Sequence, residues 1–312
     1  MIVEEVPVAV YKSIIREPYN IFGDAEFNDL NSQKAEAVHY LLFKDSKYRL
    51  GLIAARRENK LISPFSAPFG GFSFIHEDVR IKAIEEAVMI TENWCREKGI
   101  NAIRYTLPPP IYRESFLAKV ANVMYRQQYT IENMELNFHF DLSKFTPDYI
   151  QNIWHNARKN LNIALAGNLS FVKCTTVEEM ETAYKVIQHN REVRGKPLRM
   201  TYEQVAVTSS VVPTDFFLVV NNEEKYLAAA IVYTVAPRVA QVIYWGDIPE
   251  YSQLKTMNYL SFKVFEFYKQ KNFRAVDIGY STEDSIPNYG LCEFKESLGC
   301  DIQPKLTFTK SL

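Results

Sequence analysis

Three apolar segments lie almost end to end between residues 216 and 246, and they constrain the fold of this chain more than any other feature. FFLVV (216–220), YLAAAIVYTV (226–235) and VAQVIYWG (239–246) are parted only by the polar turn NNEEK (221–225) and by Pro237. Short runs rich in β-branched and aromatic residues, bounded by turn and breaker residues, read as strands. A long helix follows, carrying Leu254, Tyr259, Phe262, Val264 and Phe265 and ending near Gln270. Residues 274–279 then read as a buried strand, 289–298 as a short helix, and 305–309 as a last strand. The pattern predicts an α/β chain, a mixed sheet with flanking helices.

Upstream, residues 141–167 predict a helix that Thr146 caps, with Pro147 in its first turn and Gly167 at its end. Residues 169–174 read as a short strand. Thr176 and Glu179 have the spacing of a capping box and open a helix that runs to about Arg194, with a shorter one starting near Thr201. The same order recurs more faintly before residue 145: strand-like runs at 37–43, 48–56 and 61–65, then a helix over 78–98. KGINAIR (98–104) and KNFRAVD (271–277) both leave a long helix and enter an apolar strand, which points to an internal duplication. Coincidence within a common α/β pattern is the alternative. Two similar lobes are expected, over 1–145 and 146–312, with the turn-rich stretch 106–115 inside the first.

Lysine and arginine total 36 against 37 acidic residues, a formal charge of −1. That balance excludes a protein that coats duplex nucleic acid through a broad cationic surface, while leaving room for a local basic pocket. The cysteines at 95, 174, 292 and 300 show no Cys-x-x-Cys spacing, and the five histidines form no paired helical motif. No metal site and free thiols in a reducing compartment are expected. The N-terminal stretch lacks a cationic region before an apolar core, and the longest weakly polar run (226–236) is far shorter than the ~20 residues of a membrane span. A soluble, cytoplasmic protein without a membrane span is the expectation.

The element order resembles the GNAT acyltransferase fold, and two such lobes in tandem resemble the Fem-type peptidyltransferases. DLSKF (141–145) leading into HNARKNLNIA (155–164) is similar to the basic helix at the lobe junction of that group. VDIG (276–279) resembles its penultimate strand, SPFSAPFGGF (63–72) its Pro-rich, Gly-Gly segment, and GLCEFKESLG (290–299) its Gly-Leu-x-x-Phe-Lys-x-x-x-Gly pattern. The resemblance implies N-acyl transfer by direct attack of a substrate amine in a ternary complex. The donor would be acetyl- or another acyl-coenzyme A, or alternatively aminoacyl-tRNA. The acceptor would be an amine on a small molecule, an amino sugar or a peptidoglycan precursor.

Site residues follow from that resemblance and from side-chain chemistry. Lys295 would stabilise an oxyanion or bind an anion, Asp277 would act as general base or hold the amine, and Tyr244 would lie near the chemistry. Lys295 and Asp277 each have a plain alternative, a solvated lysine and a buried structural carboxylate, and core packing is the alternative for Tyr280 and Tyr289. Gly246, Ser252 and Gln253 occupy the cofactor-loop position, yet the segment reads GDIPEYSQLK, without the usual glycine-rich phosphate loop and with Asp247 and Glu250 in it. Arg158 and Lys159 are further cofactor candidates. Arg191, Arg194, Tyr280, Tyr289, Gly70 and Gly71 are candidates for substrate binding. A non-catalytic ligand-binding protein of the same fold is the competing reading.

Overall fold

A computed structural model describes residues 1–312. The chain divides into two compact units, the first made of Met1–Leu136, Thr282–Ile286 and Gln303–Leu312, the second of Asn137–Ser281 and Pro287–Ile302.

In the first unit the elements are β1 (Ile2–Glu5), α1 (Val8–Ile14), α2 (Ala25–Leu30), β2 (Ala37–Lys44), β3 (Tyr48–Arg57), β4 (Lys60–Ser63), β5 (Phe72–Phe74), α3 (Ile81–Glu97), β6 (Ala102–Thr106) and α4 (Glu114–Arg126). Leu41, Leu42, Phe43, Leu50, Leu52 and Leu61 are completely buried and form the middle of its sheet. β4 runs parallel to β6 from Lys60↔Ala102 to Ser63↔Tyr105, and there the chain turns away at Pro64. The returning loop bonds both strands: Gly70 N donates to Thr106 O (2.8 Å) and Gly71 N to Ser63 Oγ (3.0 Å). A Cβ on Gly70 would lie 2.9 Å from Pro64 N, and Gly71 has φ +98°, so the two glycines are required by this close approach. Both are buried.

The second unit follows with β7 (Thr130–Asp141, of which 137–141 belong here), α5 (Tyr149–Asn152), α6 (His155–Leu165), β8 (Ser170–Lys173), α7 (Val177–Val193), α8 (Tyr202–Thr208), β9 (Thr214–Val220), β10 (Tyr226–Ala236), β11 (Val239–Asp247), α9 (Thr256–Gln270) and β12 (Ala275–Tyr280). After the two-residue strands β13 (Thr282–Glu283) and β14 (Ile286–Pro287) come α10 (Tyr289–Ser297) and β15 (Asp301–Ser311). Its sheet order is β7-β12-β11-β10-β9-β8. Leu227 to Val232 are wholly buried, as expected of a strand covered on both faces, which is why that run shows no polar alternation. α7 packs on β9, β10 and β11, and α9 on β10, β11 and β12. Phe265 of α9 stacks on Phe140 of β7, ring centroids 4.2 Å apart. Burial of each ring contributes about 1.5–3 kcal/mol. The Thr176–Glu179 capping box forms as expected, and Thr201 with Gln204 makes a second.

Three sequence expectations differ. The helix over 146–167 is two helices, because Ile153 is extended (ψ 163°) and buried while Trp154 N donates to Ser297 O at 3.2 Å; Asp148, not Thr146, precedes the first. The turn-rich stretch at 106–115 runs into a full helix, α4. The last strand is present but does not complete a lobe over 146–312: its residues Thr307–Ser311 pair antiparallel with β6 of the first unit, and the units part at 136/137 instead of 145/146.

Candidate functional site

The second unit has a forked sheet. β11 and β12 are paired in parallel only at Val239↔Ala275, Ala240↔Val276 and Gln241↔Asp277. β11 then continues to Asp247 against β10 alone, and β12 continues to Tyr280. On the β10 side the register passes from Val232↔Val242 to Ile231↔Tyr244, so Ile243 is an unmatched bulge residue. A bulge re-aims the side chains beyond it, and this one brings Tyr244 to the face that Gln241 and Asp277 share.

Asp277 sits at the apex of the fork with no solvent exposure. Its Oδ1 accepts from Asn137 Nδ2 (2.8 Å) and Gly279 N (2.8 Å), and its Oδ2 from Gln241 Nε2 (2.9 Å). A carboxylate engaged by three donors from three strands is a clamp; these bonds fix where β7, β11 and β12 meet.

On the same face the C-terminal end of α7 brings Arg191 beside Tyr244. Burial raises the Tyr244 pKa above the ordinary phenol value, and the neighbouring Arg191 and Arg199 oppose that shift. Burial lowers the Arg191 pKa, and its Nε has no partner in the protein. Arg194 is exposed and pairs loosely with Asp247 at 3.6 Å. Asn190 Nδ2 donates to Asp247 O (2.7 Å) and Oδ1 (3.2 Å), and Thr256 Oγ1, in the first turn of α9, donates to Asp247 Oδ2 (3.3 Å). Gly246 is therefore a packing glycine: a Cβ there would lie 2.8 Å from Asn190 Cγ. Ser252 and Gln253 are exposed on a short 3₁₀ turn before α9.

Lys295 lies across the sheet. Consecutive strand residues face opposite ways, so Phe138 points away from the His139–Asp277 face, and the Lys295 ammonium is 5.2 Å from the Phe138 ring centroid. Lys295 is 2% exposed. Its Nζ donates to the carbonyl oxygens of Ile278 (2.8 Å), Gly279 (2.8 Å) and Tyr280 (3.4 Å), the end of β12 where the fork opens. Burial pushes its pKa down to about 8, with Cys300 and Asp277 opposing. Tyr280 and Tyr289 are exposed near this end of the fork. Arg158 and Lys159 stand on α6, which packs against α9, and with His155, Asn162, Ile163 and Ala166 they line a shallow groove on that helix.

The fold is similar to that of FemX. That crystal structure superposes with a TM-score of 0.71 at 10% identity, covering 100% of this chain and 98% of the other. L-PGS from Bacillus licheniformis matches with a TM-score of 0.62 at 13% identity over 98% of this chain and 92% of that one. A tandem GNAT protein from the clavulanic acid biosynthesis pathway matches at 0.53 and 12% identity over 99% and 98%. No protein-family profile matches the sequence, and no curated protein matches it. These likenesses establish a FemX-like, mixed α/β fold.

Within that fold the sequence-derived candidates separate into groups. Tyr244, Arg191 and Asp277 share one face of the fork; Lys295 holds its rim from the other; Gly246 and the Gly70–Gly71 pair serve packing. His139, Gln241 and Asn137 escaped sequence reasoning. An Asn, a Gln and a His inside apolar strands were the available signal, because buried polar side chains need partners. No group of three or more His, Cys, Asp or Glu side chains is arranged to hold a metal ion, and no helix is long and apolar enough to cross a membrane.

Proposed function

We propose that this protein is an N-acyltransferase whose second unit joins an activated carboxyl group to a substrate amine at the fork between β11 and β12, with the two units as diverged copies of one GNAT-like lobe. The observation that carries the reading is the separation of those strands beyond Gln241 and Asp277, with a bulge at Ile243 just inside the opening. Separated strands leave backbone amides able to bond an acyl oxygen, and a preorganised donor of that kind stabilises the developing oxyanion. The repeated local order supports the duplication: β2-β3-β4-α3-β6, with the short β5 inserted before α3, and β9-β10-β11-α9-β12 each end in a strand parallel to the third strand of the series. In the first unit the loop over residues 64–71 fills the equivalent opening, which favours the second unit as the reacting one.

Tyr244 donates to the acyl oxygen or the leaving oxygen, and Arg191 and Arg194 hold an anionic part of a substrate. Asp277 and Lys295 act as positioning residues, keeping apex and rim in place. Tyr280 and Tyr289 offer exposed rings to the acceptor. For the donor, the first turn of α9 matters. A diphosphate seat there needs free N–H groups and a positive helix end, but the buried Asp247 carboxylate already neutralises that end through Thr256. An aminoacyl ester, as on aminoacyl-tRNA, fits better than acyl-coenzyme A.

Thermal shift with acetyl-coenzyme A, salt-dependent binding of aminoacyl-tRNA, and mass-spectrometric detection of amide product with a panel of amines test this together. Binding and product with aminoacyl-tRNA, lost in Arg191→Ala, are expected. Product with acetyl-coenzyme A alone reverses the donor. A rise in Tm with an amine ligand, no donor bound and no product overturns the enzyme reading in favour of a binding protein.

A further inference from the structure

His139, Asp277 and Gln241 form one row across three neighbouring strands, because Asp277 is paired with His139 on β7 and with Gln241 on β11. Tyr233 on β10, paired with Gln241, extends it. All four are buried, none more than 7% exposed. Asp277 has its donors, but the residues beside it on the two flanking strands do not have all of theirs: Nδ1 of His139 and Oε1 of Gln241 have no hydrogen-bond partner in the protein. Native interiors leave few such atoms, and two of them on either side of one buried carboxylate call for a small polar guest. Water suits this set. It can donate to both Nδ1 and Oε1, which meets the requirement of at least two polar partners.

The row begins at the apex of the fork, on the face that carries Tyr244, and ends at His139. We propose that it is an internal water site through which His139 takes up the proton released when an amine nitrogen is acylated at the fork. The inference rests on the acyl-transfer reading above. The nitrogen forms its bond to the acyl carbon, and the leaving oxygen departs with its bonding pair and is protonated from solvent. The nitrogen gives its proton to the water, and the water passes one of its own to Nδ1 of His139. The imidazolium then returns that proton to solvent. Burial holds the His139 pKa below the ordinary imidazole value, so the ring is neutral at pH 7 and can accept. The charges facing it are Asp277, Asp301 and Asp141, which favour the protonated form, and Lys144, which opposes it.

Nitrogen-15 NMR of histidine-labelled full-length protein tests the water site without turnover. Nδ1 of His139 is expected to be unprotonated and shifted by an accepted hydrogen bond, with magnetisation transfer from a long-lived water. Gln241→Leu, or Gln241→Met if the first does not fold, is expected to abolish that transfer. A protonated Nδ1 or no bound water overturns the proposal. In turnover, His139→Gln is expected to lower kcat at least tenfold and to remove the acidic limb of its pH profile with KM unchanged; an unaltered kcat overturns it as well. Bound water without product from any donor refutes the acyl-transfer reading and thereby the proton route, whereas product without bound water refutes the route alone.

Discussion

Gly246→Ala is the sharpest probe of how the end of β11 is built. The new Cβ would lie 2.8 Å from Asn190 Cγ and 2.9 Å from its Cβ and Oδ1, so Asn190 must move. Overpacking of that kind costs about 1–3 kcal/mol. Moving Asn190 also loses its bonds to Asp247 O (2.7 Å) and Oδ1 (3.2 Å), about 1 kcal/mol apiece. The lower chain entropy of alanine returns about 0.5–1 kcal/mol. The net expected loss is about 2–4 kcal/mol. Asn190→Ala removes the same bonds and the Cγ and Oδ1 contacts while leaving its own Cβ 2.9 Å from the new methyl, so Gly246→Ala should cost less in that background than in the unaltered protein. Urea midpoints read by tryptophan fluorescence give the cycle, with an expected coupling of about 1–3 kcal/mol. If the single losses add within about 0.5 kcal/mol, the two residues do not meet as described and the packing argument for Gly246 fails.

Lys295→Met should change the pH dependence of stability. The lysine is ordinarily at 10.5 and falls to about 8 in the fold, so the unfolded chain binds more protons between those values and stability rises with pH there. The rise is about 3 kcal/mol from pH 8 to above 10.5 and should be missing from the variant in parallel urea titrations. Asp277→Asn replaces an acceptor of three hydrogen bonds with a group that presents a donor to one of them, and about 2–4 kcal/mol should be lost at pH 7; a change below about 0.5 kcal/mol would remove the clamp from consideration. Thr176→Ala should cost about 1 kcal/mol in thermal or urea unfolding through loss of the α7 cap, with ligand binding unaffected.

What the sequence made legible was local. The Thr176–Glu179 box, the strands around 216–246 and the long helix after them depend on neighbours a few residues apart, and they form as expected. The apex of the fork depends on register between strands remote in sequence, so Asp277 could be singled out while its partners Asn137 and Gln241 could not. Lys295 stood out through the Phe-Lys pattern, yet a motif does not say which face an ammonium takes, and here it bonds backbone carbonyls on the face away from Tyr244. Gly246 was read as part of a cofactor loop; the neighbour that requires a glycine there, Asn190, is supplied by α7. The helix expected over 146–167 broke for a tertiary reason, the bond from Trp154 N to Ser297 O.

The strand over Thr307–Ser311, paired with β6, sets an order of manufacture. Domains commonly fold as units while the ribosome is still working, the N-terminal one first. Here the first unit must wait for residues 303–312, which leave the ribosome after the whole of the second unit has been translated. A nascent chain stopped near residue 145 would expose the unpaired edge of β6, the kind of edge that recruits other chains.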